Sequence, residues 1–285
     1  MKIAVTGATG QLGRLVTDLL LASADRADLV LITRDPAKLA DLAATGVDVR
    51  AGDFDRPETL AAAFAGVDRL LLISTDSVGT RLAGHYNAID AAKAAGVTQV
   101  VYTSLPNPVD ANPAGVVQDH KLTEEHLRAS GLAWTMLRNN LYTDMQVGSV
   151  QAAIASGQHV SNTGTGGSAY VTRADCAAVA AAVLTGEGHE GKAYDVTGPS
   201  VVTAADLAAL ASDLGDKPVT VVDVDDATYV AGLVEHAGLP QAVAELLASF
   251  GAAARDGFLA PASDVVERLT GTAPTSLRTV VASAL

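Results

Sequence analysis

Three glycines, each separated from the next by two residues, lie near the start of the chain, in Val5-Thr6-Gly7-Ala8-Thr9-Gly10-Gln11-Leu12-Gly13. An apolar run precedes them and leucines at helical spacing follow them, so the turn joins a strand to a helix. In such a turn the first glycine permits a tight bend, the second lets the backbone approach a diphosphate, and the third lets the helix pack against the strand. Unpaired N–H groups at the helix start favour bound phosphate. We therefore predict a dinucleotide-binding turn, rather than a merely structural one, formed by Gly7, Thr9, Gly10, Gln11, Leu12 and Gly13.

The end of the second predicted strand distinguishes the two nicotinamide cofactors, because a carboxylate there binds a free ribose and a basic residue accepts a 2′-phosphate. The chain carries Thr33-Arg34-Asp35-Pro36-Ala37-Lys38 at this point. Arg34 offers a fork of donors that suits phosphate, and Lys38 adds a second positive charge. The alternative is that Arg34 is only solvated while Asp35 caps the next helix. We predict NADPH as the cofactor, with NADH left open by Asp35.

Further polar residues follow the next predicted strands at the carboxyl edge of the sheet, where open α/β sheets bind ligands. Asp53 is placed to meet an adenine amino group and Phe54 to line the adenine pocket, although Asp53 is equally placed to cap the helix that starts at Pro57. The nicotinamide half would lie against side chains at the ends of the fourth and fifth strands. The predicted cofactor residues of this group are Asp53, Phe54, Ser74, Thr75 and Thr103.

Short apolar runs alternate with alanine-rich segments of helical period, which is typical of βαβ units around a parallel sheet. The predicted strands are Lys2–Thr6, Leu29–Thr33, Val47–Ala51, Arg69–Ser74, Gln99–Ser104, Ala133–Arg138 and Ala193–Thr197. The predicted helices are Gln11–Ala22, Pro36–Thr45, Pro57–Ala65, Arg81–Ala95, Val117–Ser130 and Thr172–Leu184. After about residue 197 the rhythm changes to a helix at Asp206–Leu214, one strand at Pro218–Val224 and several short helices.

This order of elements predicts an α/β protein, a Rossmann-type doubly wound parallel sheet with a smaller, mainly helical C-terminal lobe. We expect residues 1–140 and 163–198 to form the NAD(P)-binding domain. Residues 141–162 and 199–285 would form a small substrate-binding lobe over the carboxyl edge of the strands.

Composition excludes several classes of partner. The formal net charge is −13 and no basic run interrupts it, so we expect no nucleic acid and no membrane partner. Met1 and Lys2 are followed at once by the first strand, and no stretch of about 20 apolar residues occurs, so we expect a soluble cytoplasmic protein. Cys176 is the only cysteine and the histidines lack metal-ligand spacing, so no metal site is predicted. For the oligomeric state, the sequence is compatible with a homodimer.

Short motifs along nearly the whole chain resemble a known family. In order they are Thr-Gly-Ala-Thr-Gly-Gln-Leu-Gly, Arg-Asp-Pro-Ala-Lys, Tyr-Thr-Ser-Leu, His-Lys-Leu-Thr-Glu from residue 120, Leu-Arg-Asn-Asn-Leu-Tyr from residue 137 and Val-Thr-Arg-Ala-Asp from residue 171. The sequence resembles the NmrA-like atypical short-chain dehydrogenases, and within them the type 2 NAD(P)H:quinone oxidoreductases and triphenylmethane dye reductases. The resemblance implies reduction of quinones or similar planar conjugated acceptors without flavin. It also implies that Leu12, Arg34, Ser74 and the segment Arg138–Tyr142 line the cofactor, while Tyr142 and the surroundings of Arg173 face the acceptor.

The Tyr-x-x-x-Lys pair of the typical short-chain dehydrogenases is absent, since none of the six tyrosines has a lysine four residues later. Alignment with related sequences places His120 in the lysine position and Val116 in the tyrosine position. Hydride added to a ketone creates a strongly basic alkoxide that needs an acid. Hydride added to a quinone yields a phenolate with a pKa of about 10, which needs no strong acid. Alcohol–carbonyl chemistry is therefore disfavoured and quinone reduction is favoured.

Four residues are candidates for the nicotinamide and acceptor end of the site. His120 would orient the nicotinamide ribose or the acceptor and donate a proton, because imidazole titrates near neutrality, unless it is a surface histidine without a partner. Asn139 and Asn140 would bind the nicotinamide amide or a quinone oxygen, or else serve as turn residues. Tyr142 offers a planar ring to the acceptor, or packs in the core. We assign catalytic roles to His120, Asn140 and Tyr142, and cofactor binding to Arg138 and Asn139. The alternative to an enzyme is a non-catalytic NmrA-like regulator that senses NADP(H).

Overall fold

A computed structural model describes residues 1–285. Its strands are β1 Ile3–Thr6, β2 Leu29–Thr33, β3 Asp48–Ala51, β4 Arg69–Leu72, β5 Gln99–Ser104, β6 Ala133–Asn139, β7 Gln158–Ser161, β8 Gly167–Ser168, β9 Lys192–Val196, β10 Val202–Thr203 and β11 Thr220–Asp223. Seven of them form one sheet in the order β3-β2-β1-β4-β5-β6-β9, and every neighbouring pair is parallel. The predicted Rossmann-type sheet is therefore confirmed.

Helices cover both faces of the sheet, and further helices follow its last strand, β9, along the chain. They are α1 Gln11–Ser23, α2 Ala40–Ala43, α3 Leu60–Ala63, α4 Leu82–Ala94, α5 Val117–Ala129, α6 Gln146–Ser156, α7 Arg173–Thr185, α8 Ala204–Gly215, α9 Asp226–Ala237, α10 Gln241–Arg255, α11 Val265–Thr270 and α12 Leu277–Ser283. The predicted helices at residues 36–45 and 57–65 each start as a 3₁₀ turn at a proline and continue as a single α-helical turn. None of the helices combines the length and the apolar character that crossing a bilayer requires.

The core has one apolar layer on each face of the sheet. Successive strand residues point to opposite faces, so Ile3 and Val5 pack against α1 and α7 while Ala4 packs against α3 and α4. Burial on both faces explains why these strands are continuous apolar runs rather than alternating ones. The order in which strands are added to the sheet reverses between β1 and β4, and this reversal opens a crevice at the carboxyl ends of those two parallel strands.

Three short strands outside the main sheet escaped the sequence prediction. The predicted strand at 218–224 is present as β11, but it pairs in parallel with β7, and β8 pairs antiparallel with β10. Strands of two to four residues carry too little alternation to be recognised, because their hydrogen bonds join segments far apart in the chain. The C-terminal part is otherwise helical, as predicted.

Candidate active site

A cleft of about 310 Å³ opens at the carboxyl edge of β1, β2 and β4. Its walls come from the glycine turn, the ends of these strands, the loop after β3 and the start of α4. Among its lining residues are the predicted Gly7, Thr9, Gly10, Arg34, Asp53, Phe54, Ser74 and Thr75. One continuous surface therefore joins residues that are up to 68 positions apart in the chain, counting from Gly7 to Thr75.

The glycine turn has the geometry that its spacing predicts. Gly7 has a φ of +61°, and its carbonyl oxygen accepts the N–H of Gly10 at 2.8 Å. A Cβ atom on Gly13 would overlap the Gly7 carbonyl oxygen and lie 2.8 Å from its carbonyl carbon, so only glycine lets α1 approach this closely. Gly10 precedes α1 without any side-chain cap. The first N–H groups of the helix, from Gln11 onwards, are therefore free to bind an anion.

Arg34 lines the cleft at the end of β2, is exposed, and forms no ion pair within the protein. Asp35 instead accepts the N–H of Ala37 at 3.2 Å and caps the short helix that begins at Pro36. The carboxylate is thus committed to capping while the guanidinium remains available to a ligand. Lys38 is exposed but lies outside the lining, so the structure does not support its predicted contribution.

Asp53 does not cap the helix at Pro57, because its Oδ1 accepts the N–H of Asp55 at 3.1 Å. Its other carboxylate oxygen makes no hydrogen bond and Asp53 lines the cleft. Phe54 lies half-buried beside it, and Gly84 of α4 packs so closely that a Cβ there would lie 3.1 Å from Phe54 Cβ. Asp53, Phe54 and Gly84 all line the cleft.

Ser74 and Thr75 line the cleft beyond the end of β4, and buried side chains hold both in place. Thr103 is buried behind them, and its Oγ1 accepts the Ser74 N–H at 2.9 Å. The Thr75 N–H donates to Nε2 of His85 at 3.3 Å. Thr103 thus supports the cleft from behind rather than lining it.

Arg138 does not line the cleft. Its guanidinium donates two hydrogen bonds to Glu124, at 3.0 and 2.8 Å, and Glu124 also accepts one from Arg128 at 2.7 Å. Glu124 is only 1% exposed, and arginines donate hydrogen bonds to both of its carboxylate oxygens. The structure therefore gives Arg138 a role in joining β6 to α5.

The two asparagines at the end of β6 differ in their hydrogen bonds. Asn140 is 2% exposed; its Nδ2 donates to the Leu259 carbonyl at 2.9 Å and its Oδ1 accepts the N–H of Leu141 at 2.7 Å. The predicted catalytic role of Asn140 is therefore not supported, because its amide ties the C-terminal segment to the sheet. Asn139 is buried too, and its Oδ1 is an enclosed atom that has no hydrogen-bond partner within the protein.

Tyr142 lies at a second cavity of about 100 Å³ beside the short strands β7 and β8. Arg173 stacks on its ring with 4.5 Å between the guanidinium carbon and the ring centroid, and Asp144 pairs with Arg173 at 3.6 Å. Burial raises the pKa of Tyr142 well above its usual range. The cavity is lined by no Asp, Glu, Lys or Arg. Four benzene-type rings and one imidazole contribute to it, those of Tyr142, Tyr170, Tyr229, Phe250 and His159.

His120 is neither a surface histidine nor a group that titrates near neutrality. It is 5% exposed, and its Nδ1 lies 2.8 Å from the hydroxyl of Tyr102. Burial, the charge of Arg81 and the neighbouring His85 hold the pKa of His120 well below its usual range. A lowered pKa disfavours the protonated imidazole, so the structure does not support the predicted role of His120 as a proton donor.

His85 makes folding sensitive to acid. Burial and the charge of Arg81 lower its pKa from 6.5 to about 4, so between these values the unfolded chain binds the proton that the folded chain excludes. Stability is therefore fully present above pH 6.5 and is lost as the pH falls towards 4. At about 1.4 kcal/mol per pH unit, we expect His85 to remove roughly 2 kcal/mol between pH 7.5 and 5.

This loss can be measured by urea unfolding at pH 7.5, 6.5, 5.5 and 5.0. His85→Gln, whose amide oxygen can still accept the Thr75 N–H, should unfold with a pH dependence shallower than the wild type by about that amount. His236→Gln, at an exposed position in α9, should keep the wild-type dependence. Equal slopes for the wild type and His85→Gln would show that His85 is not the source.

Comparison with known proteins agrees with this geometry. Residues 7–187 match the model of a family described as NAD(P)H-binding. The chain is 41% identical to Quinone oxidoreductase 2 of Escherichia coli over 96% of each chain. The crystal structure of the NADPH-dependent quinone oxidoreductase from Escherichia coli with NADPH superposes with a TM-score of 0.94 over 99% of each chain, at 40% identity. That of the Citrobacter triphenylmethane reductase with NADP(H) superposes with a TM-score of 0.92 over all of both chains, at 37% identity. The resemblance seen in the sequence motifs is thus confirmed, and the chain belongs to the NAD(P)H-binding family.

Proposed function

We propose that this chain is a flavin-independent, NAD(P)H-dependent reductase that transfers hydride to quinones or similar planar conjugated acceptors, with NADPH preferred. The observation that carries the proposal is its similarity, over nearly the full length of both chains, to Quinone oxidoreductase 2. Similarity over the whole chain includes the C-terminal lobe as well as the cofactor domain, and so supports a shared acceptor chemistry as well as a shared cofactor.

The residues that line the cleft suit the parts of a dinucleotide phosphate in order along it. The free N–H groups at the start of α1 would hold the diphosphate, and Arg34 would hold the 2′-phosphate. Asp53 and Phe54 would contact the adenine, while Ser74 and Thr75 would contact the nicotinamide half. NADPH, when bound, supplies the hydride; the protein supplies position and exclusion of water.

The uncharged aromatic cavity beside Tyr142 is the proposed acceptor site. Its four benzene-type rings offer stacking surfaces to a planar molecule. The guanidinium of Arg173 stacks on the Tyr142 ring, so a cationic acceptor placed against that ring would meet a charge of the same sign. We therefore expect neutral quinones to be reduced faster than cationic triarylmethane dyes.

We assign cofactor binding to the first proposed lobe, residues 1–140 with 163–198. Acceptor binding is assigned to the second, residues 141–162 with 199–285. The pairing of β7 with β11 supports it, because both strands belong to the second lobe and bond to each other rather than to the main sheet. Helices α6 and α8 also pack together on this side. The acceptor cavity lies largely within this second lobe.

The test is turnover without added flavin. Purified protein should oxidise NADPH, followed at its nicotinamide absorbance, when supplied with benzoquinones or naphthoquinones, and more slowly with cationic triarylmethane dyes. The same preparation should bind NADPH saturably by fluorescence titration. Saturable binding with no turnover of any acceptor would contradict the reductase and favour the NADP(H)-sensing regulator.

A further inference from the structure

The acceptor cavity beside Tyr142 is small for the molecules that it is proposed to hold. Its volume is about 100 Å³. In a protein core, a cavity of about 150 Å³ is enough to hold a single benzene ring. A one-ring quinone therefore needs all of the space that this cavity offers. A second fused ring can enter only where one of the walls gives way, so the acceptor size depends on the wall that is held least firmly.

Most of the walls are held from behind. Strand β7 pairs with β11 along its whole length. Helix α6 buries Val150 and Ala153 against α8. Helix α10 contributes Phe250 and Gly251 to the lining and buries a row of alanines on the same side. These walls cannot move outward without breaking strand hydrogen bonds or opening close-packed apolar contacts, and both changes are costly.

Helix α9, Asp226–Ala237, is the exception. None of its residues is buried, and Tyr229 is the one residue that it contributes to the cavity lining. The side chain of Tyr229 is half-buried, and its hydroxyl forms no hydrogen bond within the protein. The ring is therefore held by packing alone. It is the part of the wall whose removal would disturb the fold least.

A polar contact at the start of α9 sets where this ring lies. The Asp226 carboxylate accepts hydrogen bonds from both terminal nitrogens of Arg255, at 2.9 and 3.1 Å. It also accepts one from Nδ2 of Asn162 at 2.8 Å, and Asn162 lines the cavity. Tyr229 follows Asp226 by three residues, so the two lie on the same side of the helix. The contact thus fixes the turn of α9 that carries the ring.

We propose that Tyr229 is the specificity-determining residue that restricts this cavity to one-ring quinones, and that Asp226 is a positioning residue that holds the Tyr229 ring in place. This rests on the proposed function, which places the acceptor in the cavity. Truncating a side chain enlarges the space beside it, because the surroundings relax only in part. A shorter residue at position 229 should therefore admit a second fused ring.

The first test compares 1,4-benzoquinone and 1,4-naphthoquinone as acceptors of hydride from NADPH. The two quinones differ in intrinsic reactivity, so the measure is how the ratio of their kcat/KM values changes between variants. Tyr229→Ala should shift this ratio towards naphthoquinone by roughly 10-fold or more, the usual effect of one added apolar contact in a pocket. The change should lie mainly in KM, because the ring acts on acceptor binding, and the Kd of NADPH should stay the same.

Three further variants show whether the ring itself is responsible. Tyr229→Phe keeps the ring and removes an unpartnered hydroxyl, so it should keep the wild-type ratio. Tyr86→Ala is the matched control, because Tyr86 is also a half-buried tyrosine on a helix but stacks on His126 outside the cavity lining. Asp226→Ala should shift the ratio in the same direction as Tyr229→Ala and by less. In a Tyr229→Ala background it should cause no further shift, since Asp226 acts through that ring.

The second test requires no turnover. Phenol and 2-naphthol have one ring and two fused rings, and neither accepts hydride. Their Kd values for the full chain can be measured by NMR titration. In the wild type, 2-naphthol should bind no more tightly than phenol. In Tyr229→Ala it should gain roughly 10-fold over phenol, because the second ring then buries its apolar surface.

A folded Tyr229→Ala variant that keeps the wild-type ratios in both tests would overturn the proposal. Tyr229→Leu also removes the ring and serves in the same tests if the alanine variant does not fold. A chain that reduces neither quinone disproves the proposed function. The affinities for phenol and 2-naphthol still decide in that case whether Tyr229 limits the size of the cavity.

Discussion

Gly13→Ala is expected to lower the free energy of unfolding by roughly 1–3 kcal/mol, the usual effect of overpacking. It should weaken NADPH binding by at least about 10-fold, since a shift of the helix start removes phosphate contacts worth on the order of 1.4 kcal/mol or more. The physical reason is the closeness of α1 to the first strand. An alanine Cβ would overlap the Gly7 carbonyl oxygen and lie 3.0 Å from Ala8 Cα, and backbone atoms cannot move aside as a side chain can. The helix must therefore retreat, taking its free N–H groups away from the diphosphate.

Substitutions of two other glycines serve as controls for the effect of Gly13→Ala on stability and NADPH affinity. Gly148 lies within α6, and no atom lies within 4 Å of the position that an alanine Cβ would take there. Gly148→Ala should therefore raise stability slightly and leave NADPH affinity unchanged. Gly10→Ala places a Cβ 3.2 Å from the Gly7 carbonyl oxygen, a milder approach, and should destabilise the fold less than Gly13→Ala. Urea unfolding and fluorescence titration with NADPH measure both quantities. Wild-type affinity in Gly13→Ala would show that the close approach of α1 does not matter to the cofactor.

Arg34→Ala is expected to weaken NADPH binding by roughly 10- to 30-fold and to leave NADH binding nearly unchanged. A charge-assisted hydrogen bond contributes about 1.5–3 kcal/mol, and the exposure of Arg34 places the effect at the lower part of that range. Only the 2′-phosphate distinguishes the two cofactors, so the loss should be confined to NADPH. Titration of both reduced cofactors at one fixed ionic strength measures the difference.

Two further variants separate charge from geometry. Arg34→Lys keeps the charge but not the planar fork, and should fall between the wild type and Arg34→Ala. Lys38→Ala removes a cation that lies outside the cleft lining and should have a small effect. Since the contact is exposed, the NADPH preference should also weaken as salt is added. Equal losses of NADH and NADPH in Arg34→Ala would refute the assigned role.

Several features of this protein follow from the sequence alone. The glycine turn and Arg34 were recognisable because each depends on a few neighbouring residues with a direct physical role, and the structure brings them to one cleft. The alternation of apolar runs and helical segments predicted the parallel sheet, since strands buried on both faces are uniformly apolar. The family was recognisable for the same reason, because its motifs are local.

Only the tertiary structure decided the roles of Asn140, Arg138 and His120. Asn140 bonds the carbonyl of Leu259, 119 residues away, and no local pattern reveals a contact of that length. Arg138 lies at a strand end as predicted, yet its guanidinium turns to a glutamate buried in α5. The protonation of His120 depends on how completely α4, α5 and β5 remove water from around it. Residue types indicate which groups can do chemistry, but their protonation and their free hydrogen-bonding atoms depend on packing by distant segments.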